Sequence, residues 1–240
     1  MFSKILFWLI LLLLFTGCVP AAAPTPYTTP TIWQISRTPS LSWLDQSFNL
    51  CIQQQNEFRV IVHERPLAAV PLSDYDIALV WGEPDDSQGF AYTLGSEELV
   101  FIIHPDNPLQ EISLDTLRNI YSQQGVYWPD SKESIVTSWK YPENNEAQLL
   151  LEVILGSTVK IGEHVSTTPD VEGMLSQVSQ DSNAIGFVPE NRLQSNTKPI
   201  RISGLPPENL TFPVVALLKA QPDQFQTAWL TCLQERITVQ

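Results

Sequence analysis

The chain has 240 residues, with 26 acidic and 13 basic side chains and a formal net charge of −13. That balance argues against nucleic acid as a partner, since phosphate backbones demand clustered Lys and Arg, and against electrostatic docking to an anionic membrane. Hydrophobic residues make up 43% and aromatic ones 10%, the content of an ordinary folded domain and not of a disordered chain.

The first segment reads as an export signal. Lys4 supplies a positive charge, residues 5–15 form an almost unbroken apolar run, and Phe15-Thr16-Gly17-Cys18 follows. The run is shorter than the roughly 20 apolar residues that span a bilayer. Small residues directly before Cys18 resemble a bacterial lipobox. This implies a signal peptide over 1–17, lipidation of Cys18, and anchoring to the cell membrane on the extracytoplasmic side. An uncleaved anchor or an ordinary signal peptide is the alternative. Residues 18–30 are rich in Pro, Thr and Ala, cannot build a core, and read as a tether. Removing the signal takes away one lysine and no acid, so the mature chain is more acidic still.

Strands and helices then alternate. Residues 31–35 read as a strand, and Thr38-Pro39 as a helix N-cap followed by proline at the first helical position. Leu41, Leu44, Phe48 and Ile52 recur at helical spacing. Residues 58–64 and 76–81 are strand-like, as are residues 99–104, which lead into a Pro-Asp-Asn-Pro turn and a helix over 114–121 capped by Ser113. A strand over 134–139 precedes a helix capped by Asn144/Asn145 that ends at Gly156. Thr168-Pro169 repeats the cap-plus-proline start, with Val171, Met174, Leu175 and Val178 facing inward. Residues 184–188 and 211–219 are strands, and 225–237 is the closing helix. This order predicts an α/β fold with largely parallel sheets.

Cys51 and Cys232 each fall on the apolar face of a predicted helix. In an exported chain they form either a disulfide or two buried thiols that pack as small hydrophobes. His63, His104 and His164 are scattered, without metal-ligand spacing. The sequence carries neither a Gly-x-Ser-x-Gly elbow nor a Walker-type phosphate loop. No metal, cofactor or enzymatic activity is expected.

Residues 101–122 (FIIHPDNPLQEISLDTLRNIYS), taken with 184–188 (AIGFV), resemble the phosphate-binding, PstS-like family of ABC-transporter receptors. The resemblance runs from about Ile32 to Ile237 and is strongest over 76–122 and 183–188. It implies a two-lobed type II periplasmic-binding-protein fold, each lobe a mostly parallel sheet flanked by helices. Residues 31–98 plus 189–240 would form lobe one and 99–188 lobe two, with a small-molecule or anion ligand in the cleft between them and an ABC permease as partner.

A dehydrated oxyanion needs fixed donors: helix N-terminal N–H groups, hydroxyls and an arginine fork. Thr38 and Ser40 supply hydroxyls at the first strand-to-helix turn, although an N-cap accounts for Thr38 equally well. At the second turn the family's Ser-Ser pair is replaced by Val80-Trp81-Gly82, where Trp81 is either an apolar wall or a core residue. The third turn departs most. The family's Arg-x-x-Gly-Ser-Gly-Thr falls on Lys140-Tyr141-Pro142-Glu143-Asn144-Asn145-Glu146, so a point charge replaces the fork and both glycines are gone. Glu143 and Glu146 bring carboxylates to the place where the anion would lie, though a first-turn Glu also complements the helix dipole. The ligand-binding set expected from this resemblance is Thr38, Ser40, Trp81, Gly82, Lys140, Asn144 and Asn145. A second expectation is a degenerate cleft in an envelope sensor or adaptor that binds another protein through exposed aromatics such as Trp128, Trp139 and Tyr141.

Overall fold

The computed structural model describes residues 31–53, 58–66, 74–83, 89–129 and 134–238. The expected signal peptide, Cys18 and the tether lie outside the described residues. The first part of the chain supplies β1 (Thr31–Arg37), a three-ten helix (Pro39–Leu44), α1 (Asp45–Gln53), β2 (Phe58–Glu64), β3 (Ile77–Trp81) and β4 (Phe90–Ile103). The middle supplies β5 (Glu111–Ser113), α2 (Leu114–Ser122), β6 (Thr137–Lys140), α3 (Glu146–Leu155), β7 (Ser166–Thr167), α4 (Val171–Gln180) and β8 (Ala184–Pro189). The end supplies β9 (Lys198–Pro199), β10 (Arg201–Ser203), β11 (Thr211–Leu218) and α5 (Gln224–Thr238).

The main sheet runs β2-β1-β3-β11-β4-β8-β6-β7, with β9 also on β4, and β5 pairs β10 separately. Pairing is parallel toward both ends of the sheet and antiparallel through its middle. β4 joins the two halves: Phe90 to Glu98 pair with β11, and Leu99 to Ile103 pair with β8. One long strand thus pairs with both halves of the sheet.

Burial follows position in the sheet. All five residues of β3 are buried, as expected for a strand covered on both faces. β2 is an edge strand, and Val62 on it is exposed. The first lobe's core gathers Trp33 stacked on Phe58, with Trp229 edge-on to Trp33 and tilted against Phe48. Beside it, Cys51 of α1 and Cys232 of α5 are joined as a disulfide, Cα to Cα 5.8 Å. The second lobe packs Phe101, Tyr121 and Tyr141 around Phe187.

Helix starts follow local chemistry. Ser113 Oγ accepts from Thr116 N at 3.0 Å and Asn145 Oδ1 from Ala147 N at 2.9 Å. Gly156 ends α3 at φ +92°, a backbone that favours glycine. α4 begins later than Thr168-Pro169 suggests, because Asp170 takes the cap and accepts from Gly173 N at 2.8 Å.

Two further departures bear on function. β4 begins nine residues before the expected strand, since Gly95-Ser96-Glu97-Glu98 reads locally as a turn. Gly95 is there for packing: a Cβ would meet Ile237 Cγ2 of α5 at 2.4 Å. The aromatics expected to be exposed are not. Trp128 and Tyr141 are buried and Trp139 is half-buried, and the Tyr141 hydroxyl donates to Phe187 O at 2.9 Å.

Candidate functional site

The C-terminal ends of β1 and β3 in one lobe face the end of β6 and the start of α3 in the other. Thr38 follows β1 directly. Its backbone is extended, and its hydroxyl makes no cap hydrogen bond to the helix after it. Capping therefore does not account for Thr38, although the sequence allowed it. Thr38 and Ser40 are both buried, and neither hydroxyl has a regular hydrogen-bond partner among the described residues.

What fills this place is Glu146, the first residue of α3. It is 0% exposed, and its Oε1 accepts from Ser40 N at 2.9 Å across 106 residues of chain. Burial drives its pKa above the ordinary carboxylate range. The Thr38 hydroxyl beside it, its own backbone N–H and the Ser40 N–H and hydroxyl pull the pKa back in part. Oε2 has no regular partner, nor has the buried Oε1 of Gln148 two residues on. A carboxylate thus sits among N–H and hydroxyl dipoles, the donors that an oxyanion would use.

The other expected ligand residues are placed differently. Trp81 is 1% exposed, edge-on to Phe212, and its indole donates to Glu97 O at 3.2 Å. It lines core and not cleft, because β3 is covered on both faces. Gly82 N donates to Pro213 O at 2.8 Å, and a Cβ on Gly82 would meet Leu150 Cδ2 at 3.0 Å, so α3 packs directly on this turn. Lys140 ends β6 half-buried, Asn144 is exposed, and the Asn145 side-chain oxygen is used in capping α3. Arg37, next to Thr38, offers no fork. Asp45 takes its Nε and Nη2 at 2.7 and 2.8 Å, and Glu64 takes Nη1 at 2.7 Å.

Two contacts near the cleft carry no signal in the sequence. Glu97, just before β4 changes strand partners, accepts from Asn191 N and Nδ2 at 2.9 and 2.8 Å. Burial raises its pKa and those bonds oppose the rise. Arg192 donates to Ser42 Oγ at 2.9 Å on the three-ten helix and pairs with Glu172 of α4. It therefore reaches both sides of the cleft. The residue types are ordinary, and only the fold brings them together. A separate groove of about 1060 Å³ lies beside β4 and β10, lined by Val100, Phe101, Ile200, Ile202 and Leu205 among others, away from Thr38 and Glu146. Among the described residues no group of three or more His, Cys, Asp or Glu side chains could hold a metal ion.

No protein-family model matches the sequence, and no curated protein matches it either. Solved structures do. An ABC-type phosphate transport receptor from Vibrio cholerae superposes with a TM-score of 0.67 at 15% identity, over 85% of this chain and 95% of that one. A putative phosphate ABC transporter substrate-binding protein from Clostridium perfringens, with bound phosphate, gives 0.74 at 11% identity, over 85% and 93%. The chain has the type II periplasmic-binding-protein fold. The same architecture extends to regulatory domains, such as that of OxyR2 E204G from Vibrio vulnificus, at 0.64 and 11% identity over 86% and 98%. The fold alone therefore does not choose between carrying a solute and sensing one.

The raised carboxyls predict a pH dependence. Glu146, Glu97 and Glu98 all sit above the ordinary range, burial being the first cause in each. The folded state then holds protons that the unfolded state has released. Stability from these groups is fully present below the ordinary carboxylate range and is lost as pH rises through the raised values. The melting temperature should be higher near pH 5 than near pH 8. Glu146→Gln should flatten that slope, and a slope unchanged in this variant would exclude Glu146 as a contributor.

Proposed function

We propose that this chain is an extracytoplasmic solute-binding protein of the phosphate-receptor type, anchored through lipid on Cys18, that does not hold phosphate in the usual seat. The division expected from the sequence, lobe one over 31–98 plus 189–240 and lobe two over 99–188, fits the change of partners along β4 at Leu99. Among the described residues no helix is long and apolar enough to cross a membrane. A permease would be the partner for transport. A solute would meet Thr38 and Ser40, with Lys140 and Asn144 at the margin.

The observation that carries the reading is the Glu146 carboxylate on Ser40 N–H. A second anion a few ångströms away would cost several kcal/mol at reduced dielectric. Calorimetric titration of the full chain with inorganic phosphate, after unfolding and refolding to strip any carried ligand, should give no heat. Saturable micromolar binding would overturn the reading.

One observation favours the second reading, an envelope sensor or adaptor: the cleft is already bridged by the chain's own side chains. The burial of Trp128 and Tyr141 removes the aromatic surface that this reading first rested on. A family of candidate solutes that all fail to shift the melting temperature would move the balance to the adaptor.

A further inference from the structure

We propose that Glu146 is a tethered ligand: its carboxylate occupies the oxyanion seat, so that the two lobes are held together without an external solute. The inference deepens the functional reading above and rests on it. A Glu at a helix start usually serves its own helix dipole from the solvated side. Glu146 does something else. It is fully buried, it reaches to a backbone N–H in the other lobe, and no Lys or Arg pairs with it among the described residues.

Removing a carboxylate from water without a counter-charge is costly; burial raises the Glu146 pKa accordingly, and the dipoles around it offset part of that cost. The dipoles are those of Ser40 N–H and of two buried hydroxyls, Thr38 and Ser40, that no regular hydrogen bond uses. One backbone N–H donates to Oε1 and two buried hydroxyls stand beside the carboxyl without another partner, the donor types that a tetrahedral oxyanion or a free carboxylate would take. Asn145, capping α3 through its own oxygen, fixes the helix start and with it the backbone from which Glu146 extends.

A second tie supports the same state. Arg192 grips Ser42 on one side of the cleft and Glu172 on the other. Its partners are partly solvated, so its contribution alone is small, but it closes the same mouth. Closure in hinged binding proteins is set by the difference in contacts between open and closed states. Here the side chain of Glu146 makes the contacts that a solute otherwise would. The closed form is then the resting form, and a solute has to displace a ligand that cannot diffuse away.

Amide hydrogen exchange on the purified full chain tests this, with Glu146→Ala and Glu146→Gln beside the unaltered protein. With no ligand added, the Ser40 amide should be protected in the unaltered chain. In Glu146→Ala it should exchange at least tenfold faster, and millimolar inorganic phosphate or acetate should slow it again. Glu146→Gln keeps the shape and loses the charge, so its exchange should fall between the two. If the alanine variant does not fold, the glutamine variant decides the matter. Ser40 protection equal to that of the unaltered chain in the folded variant would overturn the tethered-ligand proposal. Tight phosphate binding by the unaltered chain would instead overturn the functional reading, which keeps the two failures apart.

Discussion

Converting Cys51 and Cys232 to alanine, or reducing the bridge, should lower the unfolding free energy by about 3–5 kcal/mol. The bridge ties α1 to α5 across 181 residues of sequence, so its loss frees nearly the whole described chain in the denatured state. For a loop of that length the chain-entropy estimate is about 5 kcal/mol, with native-state strain and residual denatured structure lowering it. Against a typical total of about 5–15 kcal/mol, the loss is large. Cys51 is fully buried beside the Trp33, Phe48 and Trp229 cluster, so alanine also leaves a small void there. Urea unfolding with and without reductant checks the prediction. The midpoint should fall, and the slope should steepen as the freed chain exposes more surface. An unchanged midpoint would mean that α1 and α5 are held by packing alone.

Much of the fold is legible because its elements announce themselves locally. Ile77 to Trp81 could only be a buried strand, and Ser113, Asn145 and Gly156 punctuate their helices as their chemistry dictates. Short pairings such as β5 with β10 carry no periodic signal, since two or three residues show neither alternation nor length. The first nine residues of β4 were hidden for another reason: Gly95, Ser96 and two glutamates look like a turn, and only the approach of Ile237 explains the glycine. The candidate site divides in the same way. The replacement of the family's arginine by Lys140 and of its glycines by Glu143 and Asn145 is legible in order and spacing, as is the conflict of Glu143 and Glu146 with a bound anion. Which of the two acids enters the seat was not visible. Glu143 is exposed and Glu146 buried because Asn145, and not Asn144, caps α3, and that sets which side chain turns inward. Likewise nothing local marks Arg192 or Asn191, whose partners lie 150 and 94 residues away.

Trp81→Ala should cost about 3–5 kcal/mol of stability, the range for a large aromatic removed from a packed interior, and lower the melting temperature by roughly 10 °C for a domain of this size. The indole is almost wholly excluded from solvent, packs edge-on to Phe212 of β11, and donates to the carbonyl of Glu97. Truncation therefore opens a cavity between β3 and its neighbours and also strands a buried carbonyl acceptor. That carbonyl belongs to the residue whose carboxylate holds Asn191, so the loss falls where β4 exchanges β11 for β8 as its partner. Trp81→Phe should recover most of the packing and not the hydrogen bond, giving a deficit of about 1–2 kcal/mol. A tryptophan lining the cleft would behave in the opposite way. Its removal would leave melting nearly unchanged and alter only the response to added solutes. Thermal unfolding of the two variants beside the unaltered chain separates these roles. A melting temperature within 2 °C of the unaltered chain for Trp81→Ala, by an order-of-magnitude conversion, would return Trp81 to the cleft.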